Sequence, residues 1–204
     1  MNTEFWNQRY AEAAYAYGTD PSEWLREHLP AGEGRSILFP AEGEGRNAVY
    51  AATIGWRSFA FDISVEGRRK AMALADHHKV DMDYRIGSPE QLEYKESSFD
   101  AIALVYAHFS AADLLPHHKR ILNWLKPGGM LCFEAFGKKH PEYKQANPAV
   151  GGPDDPDMLF NEAELRSLLQ DFTIHELREG EQKLSEGIYH RGTGWVLQAV
   201  AEKR

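Results

Sequence analysis

The run Ser36-Ile-Leu-Phe-Pro-Ala-Glu-Gly-Glu-Gly-Arg-Asn47 constrains the fold more than any other stretch of the chain. An apolar strand enters a turn with glycine at 43 and 45, and helix-forming residues begin at once, from Asn47 to about Ile54. A second extended run, Arg57–Asp62, follows and ends in a carboxylate. Strand, glycine turn, helix, strand and terminal acid together make half of a nucleoside-binding unit.

The alternation continues downstream. Ser64 is a suitable N-cap for a helix to about Lys79, and a short strand is expected at Asp83–Ile86. Phe99–Tyr106 is too apolar for a half-exposed strand and suits a buried parallel one. A helix from about Ala111 to Leu125 is stopped by Lys126-Pro-Gly-Gly129, and Met130–Phe136 supplies the next strand. After a helix at Asn161–Leu169, the extended segments Thr173–Glu179 and about Gly194–Ala201 suggest an antiparallel hairpin. The expected fold is α/β: a Rossmann-like, doubly wound, mostly parallel sheet of seven strands with an antiparallel C-terminal hairpin, binding ligands at the carboxyl ends of its strands.

The 204 residues fit one domain, 1–204, with its own core. Residues 1–30 read as an aromatic-rich helical cap. Residues 137–160 read as a polar connection without regular structure, of the kind that serves as a substrate lid. The formal charge of −8, with acids dispersed, disfavours a nucleic-acid partner. The single Cys132 excludes an intrachain disulfide. No basic leader or apolar segment of membrane length is present, so a soluble cytoplasmic protein is expected, with no membrane partner. The oligomeric state is not legible. His77-His78 and His117-His118 lack a completing carboxylate or cysteine in sequence, so no metal is expected.

The glycine turn alone admits two cofactor classes. Gly43-Glu-Gly-Arg-Asn-Ala48 satisfies the dinucleotide pattern, and Asp62 stands near the spacing of a ribose-binding acid. Against a pyrophosphate, however, Glu42 and Glu44 would be repulsive. S-adenosylmethionine has no phosphate and presents a sulphonium and an ammonium, for which acid near the turn is helpful.

Glu42-Gly-Glu-Gly-Arg-Asn47 resembles the first motif of class I S-adenosylmethionine-dependent methyltransferases, and more narrowly of their tellurite-resistance and thiopurine-type small-molecule branch. Phe5-Trp-Asn-Gln-Arg-Tyr10, Tyr17-Gly18, Leu125-Lys-Pro-Gly-Gly129, Gly151-Gly-Pro153 and His190-Arg-Gly192 follow in matching order along nearly the whole chain. The resemblance implies S-adenosylmethionine as cofactor, with Gly43 and Gly45 along its methionine part and Asp62 on the ribose hydroxyls. It implies Ile63 over an adenine face, Ser88 at the adenine edge, Tyr106 beside the transferable methyl, and Trp6, Tyr10 and Tyr17 as a cap.

Four positions depart from the family pattern. Phe39 stands where an acid is usual, Ala41 where glycine is, Glu42 where a small residue or cysteine is, and Ser88 where an acid flanks adenine. Glu42 is the candidate to restore the charge facing the methionine ammonium. His108 is the candidate base, against a structural role, and Phe109, Phe136, His190 and Arg191 are candidate substrate contacts. Arg46 and Asn47 are expected to shape the turn rather than touch substrate. The leading reading is an enzyme moving the methyl group to a small-molecule nucleophile, sulfur or a metalloid oxyanion among the candidates. Its rivals are an NAD-dependent oxidoreductase and a non-catalytic nucleoside-binding protein.

Overall fold

The computed structural model describes residues 2–204. A seven-stranded sheet runs in the order β3-β2-β1-β4-β5-β7-β6. Its strands are β1 (Ser36–Pro40), β2 (Arg57–Asp62), β3 (Met82–Ile86), β4 (Phe99–Val105), β5 (Leu125–Phe136), β6 (Phe172–Glu186) and β7 (His190–Lys203). The first five are parallel, and β7 lies antiparallel between β5 and β6. The helices are α1 (Thr3–Ala11), α2 (Glu23–His28), α3 (Arg46–Thr53), α4 (Val65–His78), α5 (Leu114–Asn123), α6 (His140–Ala146) and α7 (Glu162–Leu168).

Side chains of a strand alternate between its two faces, and β1 shows what this does to the core. Leu38 joins Phe61, Ile102, Leu104, Ile121 and Phe133 in one apolar layer. Ile37 and Phe39 join Trp24, Ala48, Ala51 and Ala60 in the other. Phe39 is fully buried there. A carboxylate in its place would be stranded among apolar side chains, so the usual acid has no counterpart on this strand.

The chain leaves β3 at one edge and returns to β4 beside β1. Strand order reverses between β1 and β4, and the loops there diverge to leave a crevice. Ala41 and Tyr106, just beyond these strands, both hold φ of 52°. Left-handed backbone at a non-glycine residue is strained, and such strain gathers at functional sites.

Three segments differ from the sequence reading. β5 begins at Leu125 because Lys126-Pro-Gly-Gly129 bulges within the strand rather than preceding it; Phe99 pairs with Leu125, and pairing resumes at Ala101 and Met130. β6 and β7 pair from Phe172↔Lys203 to Glu186↔His190, with one register shift between Ile174 and Glu176. Polar residues there were legible only as loop, since cross-strand bonding, not hydrophobicity, holds them. Residues 137–160 are not structureless: they hold α6 and two single 3-10 turns, Pro148–Val150 and Pro156–Met158. His140, fully buried and stacked on Phe136 at 3.7 Å, anchors the segment. No helix among the described residues is long and apolar enough to cross a membrane.

Candidate cofactor and acceptor site

The crevice over β1 and β4 is a cavity of about 610 Å³. Its first end is built by Asp62, Ile63, Phe61, Gly87 and Pro89, and Phe109 also lines the cavity. The middle is framed by Ala41, Glu42, Arg46 and Tyr106, with Trp6, Tyr10 and Tyr17 closing over it from the N-terminal segment. At the far end stand His108, Phe136, His190, Lys144, Gly152 and Met158.

Asp62 ends β2 and is 7% exposed. The Ser64 N–H donates to its Oδ1 at 2.8 Å and the Gly43 N–H to its Oδ2 at 3.0 Å. Burial pushes its carboxyl up to about 6, against the pull of these amides. Glu42 sits at the N-terminus of α3, where backbone N–H groups lack intrahelical partners. The N–H groups of Asn47 and Ala48 both donate to its Oε1 at 2.8 Å, while Oε2 has only a long 3.5 Å approach from the Asn47 side-chain amide. Burial pushes Glu42 up to about 7, the backbone amides and Arg46 opposing.

The cation nearest the turn is already engaged. Arg46 pairs with Glu186 at 2.8 Å, and Glu186 accepts from His190 Nδ1 at 2.9 Å. Burial lowers His190, with Glu186 opposing. Despite burial, His190 and Arg46 together hold Glu186 down at about 2. The cavity thus carries two carboxylates raised by desolvation, Asp62 at its first end and Glu42 in its middle. A ligand presenting ribose hydroxyls to Asp62 and an ammonium to Glu42 Oε2 fits that donor set. A pyrophosphate does not.

Glu44 is not part of the lining. It is 4% exposed, accepts from Lys70 Nζ at 2.8 Å and from the Ala16 N–H at 2.7 Å, and so ties the N-terminal segment to α4. The glycines also act through the protein. A Cβ on Gly43 would lie 2.6 Å from the Tyr10 hydroxyl, and one on Gly45, where φ is 88°, would lie 2.5 Å from Ala71 Cβ. Their missing side chains let α1 and α4 close on the turn, and neither glycine is among the residues lining the cavity.

Ser88 and Arg191 also lie off the cavity wall. The Ser88 N–H donates to Gln91 Oε1, and its neighbours Gly87 and Pro89 do the lining. Arg191 is exposed and donates to the Gly187 carbonyl at 2.5 Å, because β7 alternation turns its side chain away from that of His190. His108 is inside, stacked parallel to Phe136 at 5.6 Å, and its Nε2 has no hydrogen-bond partner among the described residues. Burial, followed by neighbouring His190, lowers it to about 3. A group that weakly basic takes a proton poorly near neutrality, which favours the structural role of His108 over that of the base.

Several wall residues escaped the sequence reading. Arg9 donates to the Tyr17 hydroxyl at 3.0 Å and stacks over the Tyr189 ring at 4.2 Å, locking α1 to the β6–β7 turn. Lys144 and Met158 enter from the 137–160 segment. No local spacing links them to β1; only the folded chain does.

Residues 40–133 match the family described as a methyltransferase domain. Over these residues the chain is similar to methyltransferase domains. It is an S-adenosylmethionine-dependent enzyme, and the acid pair of the cavity suits that cofactor rather than a dinucleotide. No curated protein sequence matches the chain. Among solved structures, a SAM-dependent methyltransferase from Methanosarcina mazei is similar at 21% identity and TM-score 0.69, covering 90% of this chain and 98% of that one. A structure concerned with the conversion of a disulfide bond into a thioacetal group during echinomycin biosynthesis is similar at 16% identity and TM-score 0.75, covering 98% and 92%. The Burkholderia thailandensis 1,6-didemethyltoxoflavin-N1-methyltransferase, solved with its substrate and S-adenosylhomocysteine, is similar at 20% identity and TM-score 0.60, covering 88% and 74%. The sheet order, with β7 antiparallel, is that of a Rossmann-like methyltransferase fold.

Proposed function

We propose that this methyltransferase acts on a small-molecule nucleophile whose attacking atom is sulfur or a metalloid oxyanion, as in the tellurite-resistance and thiopurine-type branch. One observation carries the proposal: the acceptor end of the cavity is walled by Phe136 and by His108, a ring stacked on it whose Nε2 has no hydrogen-bond partner among the described residues and whose basicity burial depresses. With His108 so weak a base, this wall suits an acceptor that is already nucleophilic at neutral pH.

Bound S-adenosylmethionine supplies a sulphonium methyl already activated for in-line displacement. Asp62 accepts from the ribose hydroxyls, and Glu42 Oε2 meets the ammonium. Ile63 covers one face of the adenine. Trp6, Tyr10 and Tyr17 cap the cofactor, and Tyr106 borders the transferable methyl. Phe136, Phe109 and His190 hold the acceptor, while 137–160 walls it from water, so the protein contributes alignment and exclusion of solvent. Of the neighbours, the echinomycin structure concerns sulfur in a disulfide, while the 1,6-didemethyltoxoflavin-N1-methyltransferase shares only the small-molecule acceptor, its methyl going to nitrogen.

Transfer of radiolabelled methyl groups should be measured over a panel of thiols, thiopurines, selenite, tellurite, amines and catechols. Label on the sulfur or metalloid members is expected. Turnover confined to amines or catechols refutes the acceptor class while leaving the methyltransferase intact. His108→Gln should reduce kcat less than about tenfold, whereas removal of a working general base typically costs roughly 10²–10⁴-fold.

A further inference from the structure

Outside the cavity, three ionisable side chains converge at the start of α5. Asp113 and His117 stand one helical turn apart and share a face. Glu90 reaches them from the loop after β3. One imidazole nitrogen and one oxygen from each carboxylate all lie within 4.8 Å of one another. The histidine pair 117–118 is incomplete as a metal motif in sequence because the second carboxylate, Glu90, arrives from a remote loop, although Asp113 lies one turn before His117.

His117 supplies the independent sign of a ligand. Its side chain is 5% exposed, yet neither ring nitrogen has a hydrogen-bond partner among the described residues. Nε2 is 3.4 Å from Glu90 Oε1 without hydrogen-bond geometry. A buried polar group left unpaired costs roughly 1–3 kcal/mol, so this arrangement is wasteful for an imidazole with nothing to bind. On its apolar side the ring meets Phe109 edge-on at 4.9 Å.

The surroundings hold the cluster in place. Asp113 Oδ2 accepts from the Ser110 hydroxyl at 2.5 Å, leaving the carboxylate oriented with its other oxygen free. Arg120, on the same helix, donates from Nε to the Pro89 carbonyl at 2.6 Å and from its terminal nitrogen to the Leu92 carbonyl at 3.3 Å. The loop carrying Glu90 is therefore strapped to α5. Glu90 itself is 70% exposed and free to swing inward.

We propose that Glu90, Asp113 and His117 bind a divalent transition-metal ion of the zinc class. Two carboxylates neutralise its charge, and the imidazole selects it over calcium and magnesium, which favour all-oxygen sets. Bonds of about 2.0–2.2 Å in a tetrahedron place ligand atoms about 3.3–3.6 Å apart. The His117–Glu90 pair already has that separation. Water occupies the fourth position, where Glu90 opens to solvent. Pro89 and Ser110, beside the ligands, both line the cofactor cavity, so the ion staples two of its walls together.

Zinc chloride should be titrated calorimetrically into chelator-stripped protein, with thermal melts recorded with and without the ion. One zinc per chain is expected, with a raised melting midpoint. Loss of an outer-shell partner alone costs roughly 10–100-fold in affinity, so Glu90→Gln, Asp113→Asn and His117→Gln should each weaken binding at least about tenfold. Glu90→Gln is decisive, since an exposed side chain can be changed without unfolding the chain. A His77→Gln, His78→Gln double variant removes the exposed histidine pair of α4 and should bind as wild type. Absence of stoichiometric zinc binding overturns the proposal. So does binding that survives Glu90→Gln but is lost from the α4 variant.

Discussion

Replacing Glu42 with glutamine separates the cost of this carboxylate to the fold from its value to the site. Glutamine keeps an Oε1 acceptor for the Asn47 and Ala48 N–H groups and removes only the charge. Burial raises Glu42 from 4.5 to about 7. At about 1.4 kcal/mol per pH unit, the ionised form costs the folded state about 3 kcal/mol. Because the folded value lies above the unfolded one, this cost is absent in acid and grows as pH rises from about 4.5 through 7. Glu42→Gln should therefore stabilise the protein by about 3 kcal/mol at pH 8 and by less than about 1 kcal/mol at pH 5. For a chain of this length the gain at pH 8 is a rise of about 6–12 °C in melting midpoint. Calorimetric titration with S-adenosylhomocysteine should show the opposite sign. Loss of a charge-assisted hydrogen bond to the ammonium, at about 1.5–3 kcal/mol, weakens binding roughly 10–150-fold. A stability gain that is equal at pH 5 and pH 8 would refute the desolvation argument, and unchanged affinity would remove Glu42 from the ammonium.

Asp62→Asn turns one of the two amide acceptors into a donor facing a backbone N–H, at either Gly43 or Ser64. S-adenosylhomocysteine affinity should fall at least about tenfold, equal to 1.4 kcal/mol, and equal binding by both proteins in the titration would exclude Asp62 from the ligand. Lys70→Met strands Glu44 at 4% exposure and frees the Ala14 carbonyl. Urea unfolding should show a loss of about 3–5 kcal/mol, largely recovered by adding Glu44→Gln, since removing both charges of a buried pair is often nearly neutral.

The order of elements was legible because hydrophobic pattern and turn chemistry are local. β2 occupies Arg57–Asp62 as read, and Ser64 caps α4 by accepting from the Gly67 N–H at 3.0 Å. Positions where the reading slipped are those held by distant partners. β6 runs through polar residues because β7 bonds to it along its length. Segment 137–160 is ordered by His140, which stacks on Phe136 and bonds with the Gly151 carbonyl. In the site, Trp6, Tyr10, Tyr17, Glu42, Asp62, Ile63 and Tyr106 do meet at one cavity, whereas Ser88 and Arg191 stand beside it. A strand's alternation tells which residues share a face, but not which face a remote loop will cover.

By itself, the sequence determined the strand–turn–helix around Gly43 and Gly45, the terminal carboxylate of β2 and the acidic character of the turn. All depend on neighbouring residues and on backbone preferences that each amino acid carries with it. Only the tertiary structure decided which carboxylate serves the cavity. Glu42 and Glu44 are two residues apart, yet one caps α3 with an oxygen left for a ligand and the other is spent on Lys70. The same holds for Glu90, Asp113 and His117, a cluster assembled by packing α5 against a loop from another strand. Burial and charge pairing are properties of the assembled surroundings, and they assign different chemistry to identical side chains.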